Sequence, residues 1–260
     1  MTTIQTIKAA KNTKKLVMIT AYDALFSSII KDYADILLVG DSLAMSFGGA
    51  KDTLSITLDE MIYHAKAVCK GAPEAFVLFD MPFGSEQTQQ MALKSAIKAY
   101  KSANIAAVKI EGGVEKCEII KTLTSSKIAV MAHIGLMPQN CRADGGYRVQ
   151  GKDELSAQKL LEDAKAVEAA GVFAILIEGV KADVAAKITQ SVNIPTIGIG
   201  AGASCDGQVL VWSDMLGFFE AFKPKFVRKY LDGAKLTRDA LEQYANDVRS
   251  GEFPNEKESY

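Results

Sequence analysis

Neither sign of charge dominates this sequence. Lys and Arg number 30 and Asp and Glu 31 in 260 residues, a net charge of −1. That excludes the basic footprint of a nucleic-acid binder and leaves no polybasic patch for a membrane surface. Cysteine is scarce. Cys69, Cys117, Cys141 and Cys205 are not spaced as a zinc knuckle or a redox CxxC, so reduced thiols in a cytoplasmic protein are expected. The stretch from Met1 to Lys15 carries Lys8, Lys11, Lys14 and Lys15 without an apolar segment, which does not fit a signal peptide. No apolar run approaches the ~20 residues that a bilayer-spanning helix needs.

What the chain does have is a real core composition, 48% hydrophobic and 23% charged, arranged as short apolar runs alternating with helical segments. Strands are predicted at Leu16–Thr20, Ile36–Val39, Phe76–Phe79, Ala106–Ile110, Ile128–Met131, Phe173–Ile177, Thr196–Ile199 and Val209–Trp212. Helices are predicted at Ala24–Tyr33, Leu58–Lys70, Gln87–Ser102, Glu115–Leu123, Ala157–Ala169, Ala182–Thr189 and Arg238–Val248. Such alternation implies parallel strands joined by helical crossovers, and nearly all-apolar strands are buried on both faces. Repeats of roughly 30 residues over a typical length of about 250 predict an α/β fold, a (β/α)8 TIM barrel, with residues 1–260 as one catalytic domain. An open doubly wound sheet is the competing architecture. Thr20-Ala21-Tyr22-Asp23 stands after the first strand where a dinucleotide-binding sheet would place its glycine fingerprint. The late run Gly198-Ile199-Gly200-Ala201-Gly202 reads as rim turns.

In a barrel of this kind, chemistry sits at the C-terminal ends of the strands. The residues there are Asp23, Asp41, Asp80, Glu111, His133 and Glu178. One acid after a strand can be a helix cap; a run of them converging on one rim suggests a site. Alternation along Ala107-Val108-Lys109-Ile110-Glu111 sends Lys109 and Glu111 into the barrel mouth, where a buried lysine costs several kcal/mol unless paired. Its roles are an ion pair with a neighbouring acid and reception of an anionic substrate. Asp41, Asp80 and Glu111 end neighbouring strands. At an effective dielectric near 20, a carboxylate pair about 4 Å apart costs roughly 4 kcal/mol. Either some are protonated and separately hydrogen-bonded, or a cation sits among them. Oxygen ligands select a hard ion, Mg2+ first, with Mn2+ or Ca2+ behind it. His133 suits a hydrogen bond to a substrate oxygen. Glu178, apart from the acid trio, suits a general base, with an ion pair to Lys109 as the structural alternative.

The sequence resembles the 3-methyl-2-oxobutanoate hydroxymethyltransferase (ketopantoate hydroxymethyltransferase) family from about Thr20 to Gly217. The blocks that carry the resemblance are Leu38-Val39-Gly40-Asp41-Ser42-Leu43, Asp80-Met81-Pro82-Phe83-Gly84, Val108-Lys109-Ile110-Glu111-Gly112-Gly113, His133-Ile134-Gly135-Leu136 with Pro138-Gln139, Gly145-Gly146-Tyr147, and Asp206-Gly207-Gln208-Val209. It departs from the family pattern at Ala132, at Met137 and at Gly179-Val180-Lys181, which lacks a proline.

The resemblance implies transfer of a one-carbon unit from 5,10-methylenetetrahydrofolate to 3-methyl-2-oxobutanoate, giving 2-dehydropantoate for pantothenate and coenzyme A. It implies a Mg2+-binding barrel in a cytoplasmic homo-oligomer, commonly a decamer. It places Asp41 and Asp80 as metal ligands that also meet substrate, Glu111 as the third metal-site acid, Ser42, Lys109 and His133 at the oxo acid, and Glu178 as proton acceptor. Two other readings stand beside it: a metal-dependent oxo-acid lyase or mutase of related fold, and a barrel without catalysis that serves as a scaffold.

Overall fold

A computed structural model describes residues 2–220 and 224–260. These fall into two compact units, one ending at Leu210 and the other beginning at Val211.

The first unit is a closed barrel of parallel strands in sequential order. They are β1 (Leu16–Thr20), β2 (Ile36–Val39), β3 (Val77–Asp80), β4 (Ala107–Glu111), β5 (Val130–Gly135), β6 (Ala174–Glu178), β7 (Thr196–Ile199) and β8 (Gly207–Leu210). Closure comes from β8 pairing with β1, Leu16 opposite Gly207 and Met18 opposite Val209. Helices α1 (Ile4–Ala9), α2 (Ala24–Ile30), α3 (Leu43–Ser46), α4 (Leu58–Gly71), α5 (Gln89–Ser102), α6 (Cys117–Ser125), α7 (Glu154–Ala169) and α8 (Ala182–Ser191) complete the unit. The (β/α)8 barrel read from the apolar alternation is therefore the fold.

Alternation within each strand fills the interior. Met18, Ile36, Leu38, Leu78, Ala107, Met131, Leu176, Ile197 and Val209 pack as one buried cluster. Ile7 and Ala10, at the N-terminal helix, join that cluster, so α1 closes the bottom of the barrel. Side chains cap the helix starts, and α7 begins at Glu154, ahead of the expected Ala157. Thr57 accepts from the Glu60 amide in a capping box on α4, and Asp153 does the same with Ser156 on α7.

At four strands the C-terminal boundary lies beyond the one read from the sequence. β3, β4 and β6 each run on to include Asp80, Glu111 and Glu178, and β5 runs on through His133 to Gly135. Backbone pairing carries the ladder through these residues: Asp80 lies opposite Lys109, Glu111 opposite His133 and Glu178 opposite Gly135. Val211 and Trp212, expected in the last strand, lie outside β8. Asp23 is not part of the mouth cluster; its carboxylate accepts from the Phe26 amide as the N-cap of α2. A short helix also follows Asp41 at once, over Leu43–Ser46, ahead of the predicted helix at Leu58–Lys70.

The second unit carries the short helix α9 (Trp212–Met215) and α10 (Gly233–Ser250). Arg238 holds Glu220 through paired bonds of 2.8 and 3.0 Å. The C-terminal helix begins at Gly233, ahead of the expected Arg238. Glycine is a poor helix former, but a Cβ on Gly233 would lie 2.6 Å from both the Leu216 carbonyl oxygen and the Phe218 ring. Close approach, not propensity, sets that helix start. No helix among the described residues is long and apolar enough to cross a membrane.

Candidate active site

Lys109 is the centre of the barrel mouth. Inward-facing on β4 and 4% exposed, it places Nζ 3.1 Å from Asp80 Oδ1, 3.1 Å from His133 Nδ1 and 4.0 Å from Glu111 Oε1. Asp41, just beyond β2, donates its backbone N–H to Asp80 Oδ2 at 3.1 Å. Gln139, in the turn after β5, ties the remaining acids together. Its amide nitrogen Nε2 donates to Asp41 Oδ2 at 2.9 Å and to the Met81 carbonyl at 3.0 Å, while its backbone N–H donates to Glu111 Oε2 at 3.0 Å. Asp41, Asp80, Lys109, Glu111, His133 and Gln139 are all buried.

The charges in this cluster do not cancel. Burial first, then Asp80 and Glu111, push the Asp41 carboxyl well above its usual range against the pull of Lys109 and Gln139. Burial likewise raises Asp80, partly offset by Lys109. At Glu111 burial raises the carboxyl, and Lys109 and the Gln139 N–H pull it back down. Burial works against the Lys109 ammonium, and Asp80, Glu111 and Asp41 more than restore it, so Lys109 stays charged.

His133 is pulled two ways. Burial and Lys109 lower its pKa, and Glu111 with Glu178 carry it up to about 9. The contact geometry says otherwise: an ammonium at 3.1 Å from Nδ1 can only donate there, and a protonated ring would set N–H against N–H. The contact decides for a neutral ring with its proton on Nε2. That atom is buried without a hydrogen-bond partner and lies 3.4 Å from Glu178 Oε2. Glu178 is the outlying acid, its side chain 19% exposed against 5% for Asp80 and Glu111.

On the other flank, the Ser42 hydroxyl bonds the Tyr22 hydroxyl at 2.8 Å. Gly40 faces the same space: a Cβ there would meet Ser42 Oγ at 3.0 Å and Asp80 Oδ2 at 3.5 Å. A cavity of about 560 Å³ lies between the segment after β5 and α7, lined by Gly135, Met137, Arg148, Gln150 and Leu160 among others. A second, of about 670 Å³, lies at the opposite, N-terminal end beside Ile7, Leu16 and Phe76; active sites of this fold do not sit there. Asp41, Ser42, Asp80, Lys109, Glu111, His133 and Glu178 thus stand at one rim, and Asp23 does not join them. Among the described residues, however, no three His, Cys, Asp or Glu side chains converge as a ready metal cage.

The family model of ketopantoate hydroxymethyltransferase matches residues 1–256. The chain belongs to the ketopantoate hydroxymethyltransferase family. It is 61% identical over 258 residues to the 3-methyl-2-oxobutanoate hydroxymethyltransferase of Wolinella succinogenes, covering 99% of this chain and 98% of that one. It is 55% identical to the enzyme of the same name from Helicobacter pylori strain P12, with 100% and 96% covered. A phosphoenolpyruvate phosphomutase from Streptomyces platensis subsp. rosaceus shares the fold, at a TM-score of 0.64 and 15% identity over 96% of this chain and 88% of that one. Ketopantoate hydroxymethyltransferases are transferases of pantothenate biosynthesis.

Two residues at this rim escaped a reading built on ionisable side chains. Gln139 is neutral; it stood in the Pro138-Gln139 block of the resemblance, in the turn that follows β5, without a role. Tyr22 stands in the block after β1, but nothing in its spacing points to Ser42.

Proposed function

We propose that the chain moves a one-carbon unit from 5,10-methylenetetrahydrofolate to C3 of 3-methyl-2-oxobutanoate, with Glu178 as the proton acceptor and Mg2+ held at the Asp41 and Asp80 end. The observation that carries this reading is the separation of the acids. Asp41, Asp80 and Glu111 are buried in the network of Lys109 and Gln139, while Glu178 stands outside it, more exposed and beside the Nε2 of His133.

The donor set fits a hard cation. Asp80 Oδ1 is buried with no hydrogen-bond partner, its 3.1 Å approach to Lys109 being an ion pair only. Gly40 leaves open the space beside Asp80 and Ser42 that a Cβ would fill. Mg2+ is usually held by one or two carboxylates plus substrate and waters rather than by a full protein cage. Asp41 and Asp80 would hold it, with Glu111, already engaged by the Gln139 amide, contributing through water. When bound there, Mg2+ would supply Lewis-acid polarisation of the 2-oxo oxygen.

The chain's own residues do the rest. Lys109 brings a fixed positive charge to the substrate carboxylate, and the Ser42 hydroxyl, held by Tyr22, donates to the same anion. His133 Nε2–H faces the substrate side of the mouth and orients Glu178. Glu178 removes the proton on C3; the electron pair left there forms the new carbon–carbon bond to the folate methylene as one of that methylene's two C–N bonds breaks, the freed nitrogen taking up a proton and the other nitrogen still holding the carbon. Water then takes the methylene carbon from the folate nitrogen, leaving a hydroxymethyl group and free tetrahydrofolate. The cavity of about 560 Å³ beside the end of β5 falls in the size range of ligand sites and is the candidate for the second substrate. The same reading makes the protein a cytoplasmic homo-oligomer, a decamer in the family pattern, which light scattering on a sizing column tests.

The deciding assay incubates the protein with Mg2+ and 3-methyl-2-oxobutanoate, with and without 5,10-methylenetetrahydrofolate. Formation of 2-dehydropantoate only with the folate is expected. Rapid consumption of the oxo acid without it would move the assignment to an oxo-acid lyase or mutase.

A further inference from the structure

Gln139 joins the ends of three neighbouring strands: its side chain bonds Asp41 after β2 and the Met81 carbonyl after β3, and its backbone bonds Glu111 on β4. It is 6% exposed and sits 98 residues from Asp41 in the chain. Its place is fixed from behind. Pro138 opens the turn Pro138–Asn140 immediately after β5, which leaves the Gln139 N–H free to reach Glu111 instead of closing a helical bond. The amide group then has its two N–H donors spent on Asp41 Oδ2 and Met81 O. With Oδ2 so occupied, rotation of the Asp41 carboxylate about its last bond would break a buried hydrogen bond. Asp41 Oδ1 is thereby left as the oxygen turned to other partners. Asp80 is set in the same way, its Oδ2 taken by the Asp41 backbone N–H and its Oδ1 without a hydrogen bond.

We propose that Gln139 is a positioning residue for the divalent-cation end of the site: through its side-chain amide it fixes which oxygen of Asp41 is offered to the metal, and through its backbone it keeps Glu111 alongside. This rests on the reading that Asp41 and Asp80 hold a cation. It adds that a neutral residue touching neither substrate nor metal sets how tightly the cation is held. Removing groups that orient metal ligands typically costs 10–100-fold in affinity or activity.

The test measures Mn2+ binding by EPR in the full-length protein without substrate, for wild type, Gln139→Met and Gln139→Asn. Methionine fills the same space without donors. Asparagine keeps the amide but is one methylene too short to reach Asp41, so the fold is retained even if the methionine variant is damaged. Both keep the backbone N–H to Glu111. The expected result is a Kd for Mn2+ raised 10–100-fold in each variant, while the melting temperature in EDTA shifts by no more than the loss of one hydrogen bond explains. The KM for the oxo acid should follow the metal affinity and recover at saturating Mn2+. An unchanged Mn2+ affinity in a folded variant, with wild type binding normally, overturns the role of Gln139 and leaves the cation site standing. Absence of Mn2+ binding by wild type overturns both.

Discussion

Lys109 Nζ lies 3.1 Å from Asp80 Oδ1, and both side chains are about 95% hidden from solvent. The pair is a buried charge neutralised by contact, with Asp41 and Glu111 close enough to share it. Removing one member of such a pair costs about 3–5 kcal/mol, because the partner stays buried and charged. Lys109→Met should therefore lose stability of that order in urea unfolding with EDTA present, and Mg2+ should return part of it by supplying the missing positive charge. Equal unfolding midpoints for variant and wild type in EDTA would show that the mouth does not depend on this ammonium.

Glu178→Gln keeps the shape of the outlying acid and removes its basicity. Mn2+ and oxo-acid binding should be preserved, since the Lys109 network does not include Glu178. Exchange of the C3 proton of 3-methyl-2-oxobutanoate into deuterated water should fall by about 10²–10⁴-fold, the usual contribution of a positioned base. NMR follows that exchange without any folate, so the result bears on Glu178 alone. Wild-type exchange in the variant would falsify its assignment as the base.

The raised Asp41 carboxyl gives a pH dependence of definite sign. Burial, then Asp80 and Glu111, disfavour its charge in the metal-free fold. A raised acid contributes stability that is present below its unfolded value, about 3.9, and lost as pH climbs through its folded value. In EDTA at pH 7, Asp41→Asn should melt above wild type, and the gap should close as the pH falls toward about 4. With Mg2+ the order should invert, because the variant has lost a ligand oxygen of full charge. If wild type melts higher in EDTA at pH 7, the cluster does not hold uncompensated charge.

These sites were legible in the sequence to the degree that they were ionisable and inward-facing. Asp80, Lys109, Glu111 and Glu178 lie on the face that strand alternation assigns them, because a period of two is enforced by the pleat itself. The strand ends were drawn short for the same reason. An apolar-run rule stops at the first charge, whereas the ladder stops only where backbone pairing stops, and His133 pairs Leu176 on one side and Glu111 on the other. Asp23 illustrates the opposite error, an acid at the right distance that caps a helix. Gln139 was hidden because hydrogen-bond geometry across 98 residues leaves no local pattern. The block at Asp206 proved structural. Its carboxylate takes the Thr196 amide at 2.9 Å, the Asn12 amide at 3.1 Å and the Lys11 ammonium at 3.0 Å, pinning the N-terminal segment to β7 at the bottom of the barrel. Asp206→Ala should cost about 3 kcal/mol of stability while leaving kcat near wild type.

Gly40 separates room from identity as the reason for a residue at the mouth. It follows β2 directly, between Val39 and Asp41, and faces the interior along with Ile36 and Leu38. A methyl there would sit 3.0 Å from Ser42 Oγ and 3.5 Å from Asp80 Oδ2. The first contact requires a shift of a few tenths of an ångström, which an unburied serine hydroxyl can make, so Gly40→Ala should fold. The methyl would still occupy the open side of Asp80 and break the Ser42–Tyr22 alignment. Misplacement on the ångström scale can cost about 10²-fold in rate; kcat/KM for the oxo acid should fall by roughly that factor while the melting temperature in EDTA stays within a few degrees of wild type. Undiminished kcat/KM in the alanine variant would mean that substrate and metal do not use this space, and the site would have to lie further along the rim toward β5 and β6.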